Sequence, residues 1–198
     1  LSKTMPKLGM EPIRREALVK ATIAEIGAKG SLDVTVSQIA KRAGMSSALA
    51  HHYFGGKDQI LVAAIRHTMS VYAAEVRGAL VMARGDGERV EAIVRASFSP
   101  RNFRAETVAA WMNFYVLAQR SGEAERLLGI YHARLRSNLR GALRGLVGAR
   151  AGEVAARVAA LIDGVYLRQS LGRGTPDGEA AERAVMGYVQ LELEKGAT

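Results

Sequence analysis

The chain has 198 residues and four prolines, at Pro6, Pro12, Pro100 and Pro176. Proline breaks helix interiors, because it lacks an N–H and its ring crowds the preceding turn. Between these four points the sequence is free to be helical over long stretches. Those stretches are rich in Ala, Leu, Arg and Glu, which are strong helix formers. No segment alternates apolar and polar residues with the period of two that a half-buried strand requires. The expected fold class is all-α, with about nine helices. Apolar residues make up 48% of the chain, enough to build a real core.

A first helix is expected from about Pro12 to Ala28, stopped near Gly27 and Gly30. Thr35 reads as an N-cap, and Gln38 three residues later completes a capping box. The helix it opens, "VSQIAKRA", is short and stops at Gly44. Ser46 then caps a third helix, Ser47 to Phe54, which Gly55-Gly56 ends. Lys57-Asp58 opens a long fourth helix through about Ala83. "RGDGE" at 84–88 reads as a turn. Further helices are expected over 88–98, 105–120, 122–148, 152–171 and 177–195. The opening residues contain no apolar core of signal-peptide length. Met5 reads as the natural start, with Leu1–Thr4 an upstream extension.

Two short helices joined by a glycine-containing turn match the helix-turn-helix pattern. Ile39 and Ala40 on one can pack against Leu49, Ala50 and Tyr53 on the other. Such a unit lays its second helix in the DNA major groove. At ~100° per residue, Ser47 and His51 share one face, with Ala48 and His52 beside it. These side chains are small or hydrogen-bonding, which suits close approach to base edges. A short helix pair can also serve packing alone.

The run "TVSQIAKRAGMSSALAHHYFGGKDQIL" resembles the TetR family of bacterial transcriptional regulators. The family pattern appears as Thr35, Ile39-Ala40, Ala43-Gly44-Met45-Ser46, His51-His52-Tyr53-Phe54 and Lys57. The resemblance implies that Ser47, Ala48 and His51 face bases. It implies that Thr35, His52, Tyr53 and Lys57 hold phosphates, with the cap residue Ser46 on the same surface. The chain departs from the pattern at His51, where tyrosine is common, and at Gly55-Gly56, where a polar pair is usual. The implied organisation is a DNA-binding domain over 5–56 and a ligand-binding and dimerisation domain over 57–198.

In the second half, Trp111 and Tyr115 stand at i,i+4 and share a helix face. Phe114 is adjacent, and a later helix brings Tyr166 beside Asp163. If these helices meet, they form an aromatic pocket with a carboxylate, a setting that attracts quaternary ammonium groups through cation–π contact. The same spacing also suits ordinary core packing. The segments "MPKLGMEPIRREALVKATI", "WMNFY", "HARLRSNLRGALRGL" and "LIDGVYLR" resemble the choline-responsive, glycine-betaine-controlling branch of the family. That resemblance implies choline as effector, no cofactor, and a repressor of choline-to-glycine-betaine genes. The alternative is a regulator answering to a broader set of lipophilic cations. The last two helices carry apolar stripes, Val154, Val158, Leu161, Ile162, Val165 and Val185, Val189, Leu193. The family resemblance assigns those helices to a homodimer that meets a palindromic operator.

The net charge of +9 favours an anionic partner, with nucleic acid before a membrane surface. Arg136, Arg140 and Arg144 read as a solvated basic face. With no cysteine there is no disulfide framework and no thiolate metal site. His51 and His52 point ~100° apart on a helix and cannot easily chelate one ion together. No hydrolase or phosphoryl-transfer motif is present. A cytoplasmic, non-enzymatic protein without a membrane partner is expected.

Overall fold

The computed structural model describes residues 9–172 and 174–195. Met5, the extension before it and residues 5–8 of the expected first domain lie outside the described residues. Nine α-helices occupy the described residues. They are α1 (Met10–Lys29), α2 (Val36–Arg42), α3 (Ser47–Phe54), α4 (Lys57–Met82) and α5 (Asp86–Ser97). Then follow α6 (Ala105–Ala118), α7 (Gly122–Val147), α8 (Ala151–Leu171) and α9 (Gly178–Glu194). A single 3₁₀ turn, Gly148–Arg150, joins α7 to α8.

Two boundaries differ from the sequence reading. α1 begins at Met10, two residues before Pro12. The first-turn N–H groups have no intrahelical partner, so a proline there breaks no bond. α5 begins at Asp86, inside the expected turn. Asp86 and Glu88 suit the positive end of a helix, and the Glu88 carboxylate accepts the Arg84 N–H at 2.8 Å.

The local signals of α2 and α3 act as written. Thr35 Oγ1 accepts the Gln38 N–H, and Gln38 Oε1 accepts the Thr35 N–H, closing the capping box. After α2, Gly44 takes a φ of 68°, which costs glycine nothing. Met45 N–H then reaches the Ala40 carbonyl and Gly44 N–H the Lys41 carbonyl. This is a Schellman closure, and it turns the chain sharply toward α3. Ser46 Oγ caps α3 through the Leu49 N–H. Ile39, Ala40, Ala50 and Tyr53 bury between the two helices.

One continuous apolar core runs from Leu18 in α1 to Val189 in α9. α7 packs along α8 and α5, and α6 lies between α1 and α7. The apolar stripes of the last two helices serve the protomer's own core. Val154, Val158, Ile162, Val185 and Val189 are buried within this one chain. α8 and α9 turn them inward because their own protomer's core requires them. Glu192 is also buried, and Arg150, Arg157 and Lys195 converge on its carboxylate. Lys195 first, then the Tyr188 hydroxyl and Arg150, hold the Glu192 carboxyl below its ordinary range.

α1 and α6 approach at backbone distance. A Cβ placed on Gly27 would lie 2.5 Å from Glu106 Cβ and 2.6 Å from its Cα. Only glycine permits this crossing. Gly27→Ala is expected to destabilise the protein by about 1–3 kcal/mol through overpacking, read as a lower midpoint in urea unfolding.

Candidate DNA-reading surface and effector site

α3 presents Ala48, His51 and His52 to solvent. Ser47 is half-buried, and its hydroxyl shares a hydrogen bond of 2.9 Å with Ser37 of α2. That bond fixes the two helices' relative rotation and uses part of Ser47's bonding capacity. His51 Nδ1 lies 3.3 Å from the Gly55 carbonyl. Donation there leaves Nε2 as the free acceptor, facing outward. Tyr53 is buried, and its hydroxyl accepts from Arg14 of α1 at 3.4 Å. Arg15 lies over the Phe54 ring, 4.9 Å from its centroid. α1 therefore clamps the end of α3 through two arginines. Thr35 is exposed, and its hydroxyl hydrogen stays free after capping. Lys57, half-exposed, opens α4 directly after the glycine pair. The eight expected DNA-contacting residues lie within α3 or at the starts of α2, α3 and α4.

The second site forms where α4, α6, α7 and α8 converge. Trp111 of α6 lies 4.8 Å from the Tyr131 ring and 6.5 Å from the Tyr115 ring, centroid to centroid. Tyr131 also packs edge-on against Tyr72 at 5.5 Å. The Tyr115 hydroxyl donates to Asp163 Oδ1 at 3.1 Å and lies 3.1 Å from His132 Nε2. His132 Nε2 is 3.5 Å from Asp163 Oδ2. Tyr166 donates its hydroxyl to the Ser97 and Asn102 carbonyls, and its ring packs on Phe103 and Phe98. The expected Trp111, Tyr115, Asp163 and Tyr166 are thus brought together. Phe114 is fully buried behind Trp111, 6.3 Å ring to ring, and acts as packing.

Burial sets the charge states here. It pushes the Tyr72 hydroxyl up to about 12 and those of Tyr131 and Tyr166 well above their ordinary value. Tyr115 rises for the same reason, reinforced by Asp163. All four phenols are therefore neutral donors at physiological pH. Burial also raises the Asp163 carboxyl, and His132 and Tyr115 offset this in part. The site is an aromatic cluster around one incompletely compensated carboxylate.

Residues 18–64 match the model of the bacterial regulatory proteins of the tetR family. Residues 86–194 match the model of the C-terminal part of BetI-type transcriptional repressors. The chain is 48% identical over 190 residues to the HTH-type transcriptional regulator BetI of Brucella suis biovar 1, covering 96% of each. It is 50% identical over 192 residues to that of Agrobacterium fabrum, covering 96% of this chain and 93% of the other. The fold also matches a putative transcriptional regulator from Saccharomonospora viridis, solved in complex with choline. There the TM-score is 0.76 at 19% identity, over 90% of this chain and 96% of that one. This chain belongs to the TetR family, in its BetI-type branch. As a BetI-type protein it is a DNA-binding transcriptional repressor and not an enzyme. Among the described residues no helix is long and apolar enough to cross a membrane.

Sequence reasoning missed Tyr72, Tyr131 and His132 in this BetI-type core. Tyr72 lies on the buried face of α4 with Ile65, Thr68 and Val76. Tyr131-His132 could have been found from "IYHARL", since Leu128, Tyr131 and Leu135 share the buried face of α7. That places His132 one step round, at the rim beside Asp163.

Two substitutions separate the DNA roles. His51→Ala is expected to relax sequence preference at one base position, by about 1–3 kcal/mol of discrimination. Lys57→Ala is expected to weaken binding to all sequences alike and to reduce the salt slope by about one. Fluorescence anisotropy on operator variants at several salt concentrations checks both.

Proposed function

We propose that this repressor is a homodimer that releases a palindromic operator when it binds choline, and so controls choline-to-glycine-betaine genes. The observation that carries the reading is Asp163, a partly buried carboxylate set among Trp111, Tyr115, Tyr131, Tyr72 and Tyr166. A quaternary ammonium ion has no hydrogen to donate, so aromatic faces and one carboxylate suit it. Cation–π attraction supplies ~2 kcal/mol or more when the cation is desolvated. The choline-bound relative from Saccharomonospora viridis supports the same ligand class.

The rings touch one another, and Trp111 and Tyr131 are each less than 10% exposed. An entering cation must therefore part α6 from α7. α6 also carries Glu106, against which Gly27 of α1 lies without a side chain between them. Displacement of α6 thus reaches α1, and α1 holds Tyr53 and Phe54 of the recognition helix through Arg14 and Arg15. This route acts beside α4, which links the two halves covalently.

Dimerisation follows from the faces that the protomer leaves outward. Ala160, Gly164, Leu167 and Leu171 fall on one exposed or half-exposed stripe of α8. Ala184, Gly187 and Leu191 make a matching stripe on α9, and Leu167, Leu171 and Leu191 are each more than half exposed. Small residues permit close helix approach, and the leucines supply apolar area. Two copies packing there form a four-helix bundle. A two-fold axis then sets two α3 helices on half-sites one helical turn apart, ~34–36 Å.

A mobility-shift assay on DNA upstream of the protein's own gene tests the reading. Choline is expected to release the shift, and so is tetramethylammonium. The neutral isostere 3,3-dimethylbutanol is expected to fail. A response to neutral and cationic analogues alike would sink the ammonium assignment. Asp163→Asn is expected to raise the choline requirement at least tenfold, with operator affinity kept. Choline affinity is also expected to fall as pH falls. The raised Asp163 carboxyl takes up its proton earlier than an ordinary carboxylate as pH falls, and a neutral carboxyl no longer attracts the cation. Quenching of Trp111 fluorescence between pH 8 and 5 reads this out.

A further inference from the structure

A second cavity lies away from the aromatic cluster, at the junction of α1, α4 and the α5–α6 loop. Its volume is about 390 Å³. Lys20 comes from α1, His67 and Thr68 from α4, and Arg101 and Arg104 from the loop. One carboxylate, Glu16, lines it, and that group is already paired with Lys20 at 2.7 Å. Arg101 has no ion-pair partner among the described residues. Arg104 is 4.0 Å from the exposed Glu106, a pair worth little in water. The cavity therefore holds an excess of positive charge over negative.

The surrounding donors fit the same ligand chemistry. Arg104 precedes α6 and gives it no side-chain cap, so the positive end of a helix opens at the cavity rim. Thr107, in the first turn, lines the wall. Burial lowers the affinity of His67 for a second proton, so it serves as a neutral donor. Guanidinium forks match the oxygens of carboxylate and phosphate in pairs. The volume exceeds one inorganic ion and falls at the small end of metabolite pockets.

We infer that this cavity is a second small-molecule site, for a small organic oxyanion held by Arg101, Arg104, Lys20 and His67. It goes beyond the choline reading and does not depend on it. Arg104 and Tyr115 are eleven residues apart along α6, roughly 16 Å of helix. The two sites are nevertheless joined by Asn102. Its backbone carbonyl accepts from Tyr166 at 3.2 Å, and the same residue lines the cavity. An occupant would tie α1 to the core across the surface on which α6 must move.

Calorimetric titration of the whole protein tests this, at fixed ionic strength in chloride. The probes are inorganic phosphate, glycerol 3-phosphate and succinate, whose arms separate phosphate from carboxylate ligands. Saturable binding of at least one probe is expected. Arg101→Gln with Arg104→Gln should weaken it tenfold or more, while its thermal midpoint without probe stays near the parent's. Arg136→Gln with Arg140→Gln, which removes the same charge from the exposed face of α7, should leave it within twofold. No saturable heat, equal binding by the first double variant, or equal loss in both would overturn the site.

Discussion

Gly27 and Glu106 meet with no side chain between them, and the proposed transmission of an effector signal depends on that crossing. α1 is shared property of the two halves. One end of it clamps the recognition helix through Arg14 on Tyr53 and Arg15 on Phe54. Its far end rests on α6, the helix that carries Trp111 and Tyr115. Close-packed interiors shift between discrete arrangements and do not deform smoothly. A movement of α6 therefore has little slack to dissipate before it reaches α1.

The proposed effector chemistry turns on a charge that the fold leaves incompletely answered. Asp163 faces neutral phenols and a histidine, and burial alone drives its carboxyl upward. Glu192 on α9 shows the contrast. Three cations converge on it as a structural rivet. One carboxylate is complete within the protein, whereas the other, in the proposed reading, is completed by a ligand.

Much of the fold was legible because its signals are local. The Thr35–Gln38 box, the Gly44 turn and the Ser46 cap each act within a few residues, and each appears in the structure as the sequence implies. The α5 start was misplaced because glycines at 85 and 87 look like a turn, while Asp86 and Glu88 suffice to begin a helix. The effector cluster was half legible. Trp111 and Tyr115 declare themselves at i,i+4, but Tyr72 and Tyr131 join them only through tertiary packing of α4 and α7. Phe114 was grouped with them by proximity in sequence, and the helix turns it into the core. The apolar stripes of α8 and α9 left the dimer face open for a similar reason. Valines at helical spacing show that a helix buries a face, without saying whether its own chain or a second copy covers it.

Coupling between the two sites must be reciprocal, because it is a free energy of the whole molecule. The most direct measurement is choline affinity, by Trp111 fluorescence or calorimetry, for the free repressor and for its operator complex. The predicted result is weaker choline binding to the complex, by the same factor as choline weakens operator binding. Equal choline affinity in both states would contradict the proposed mechanism.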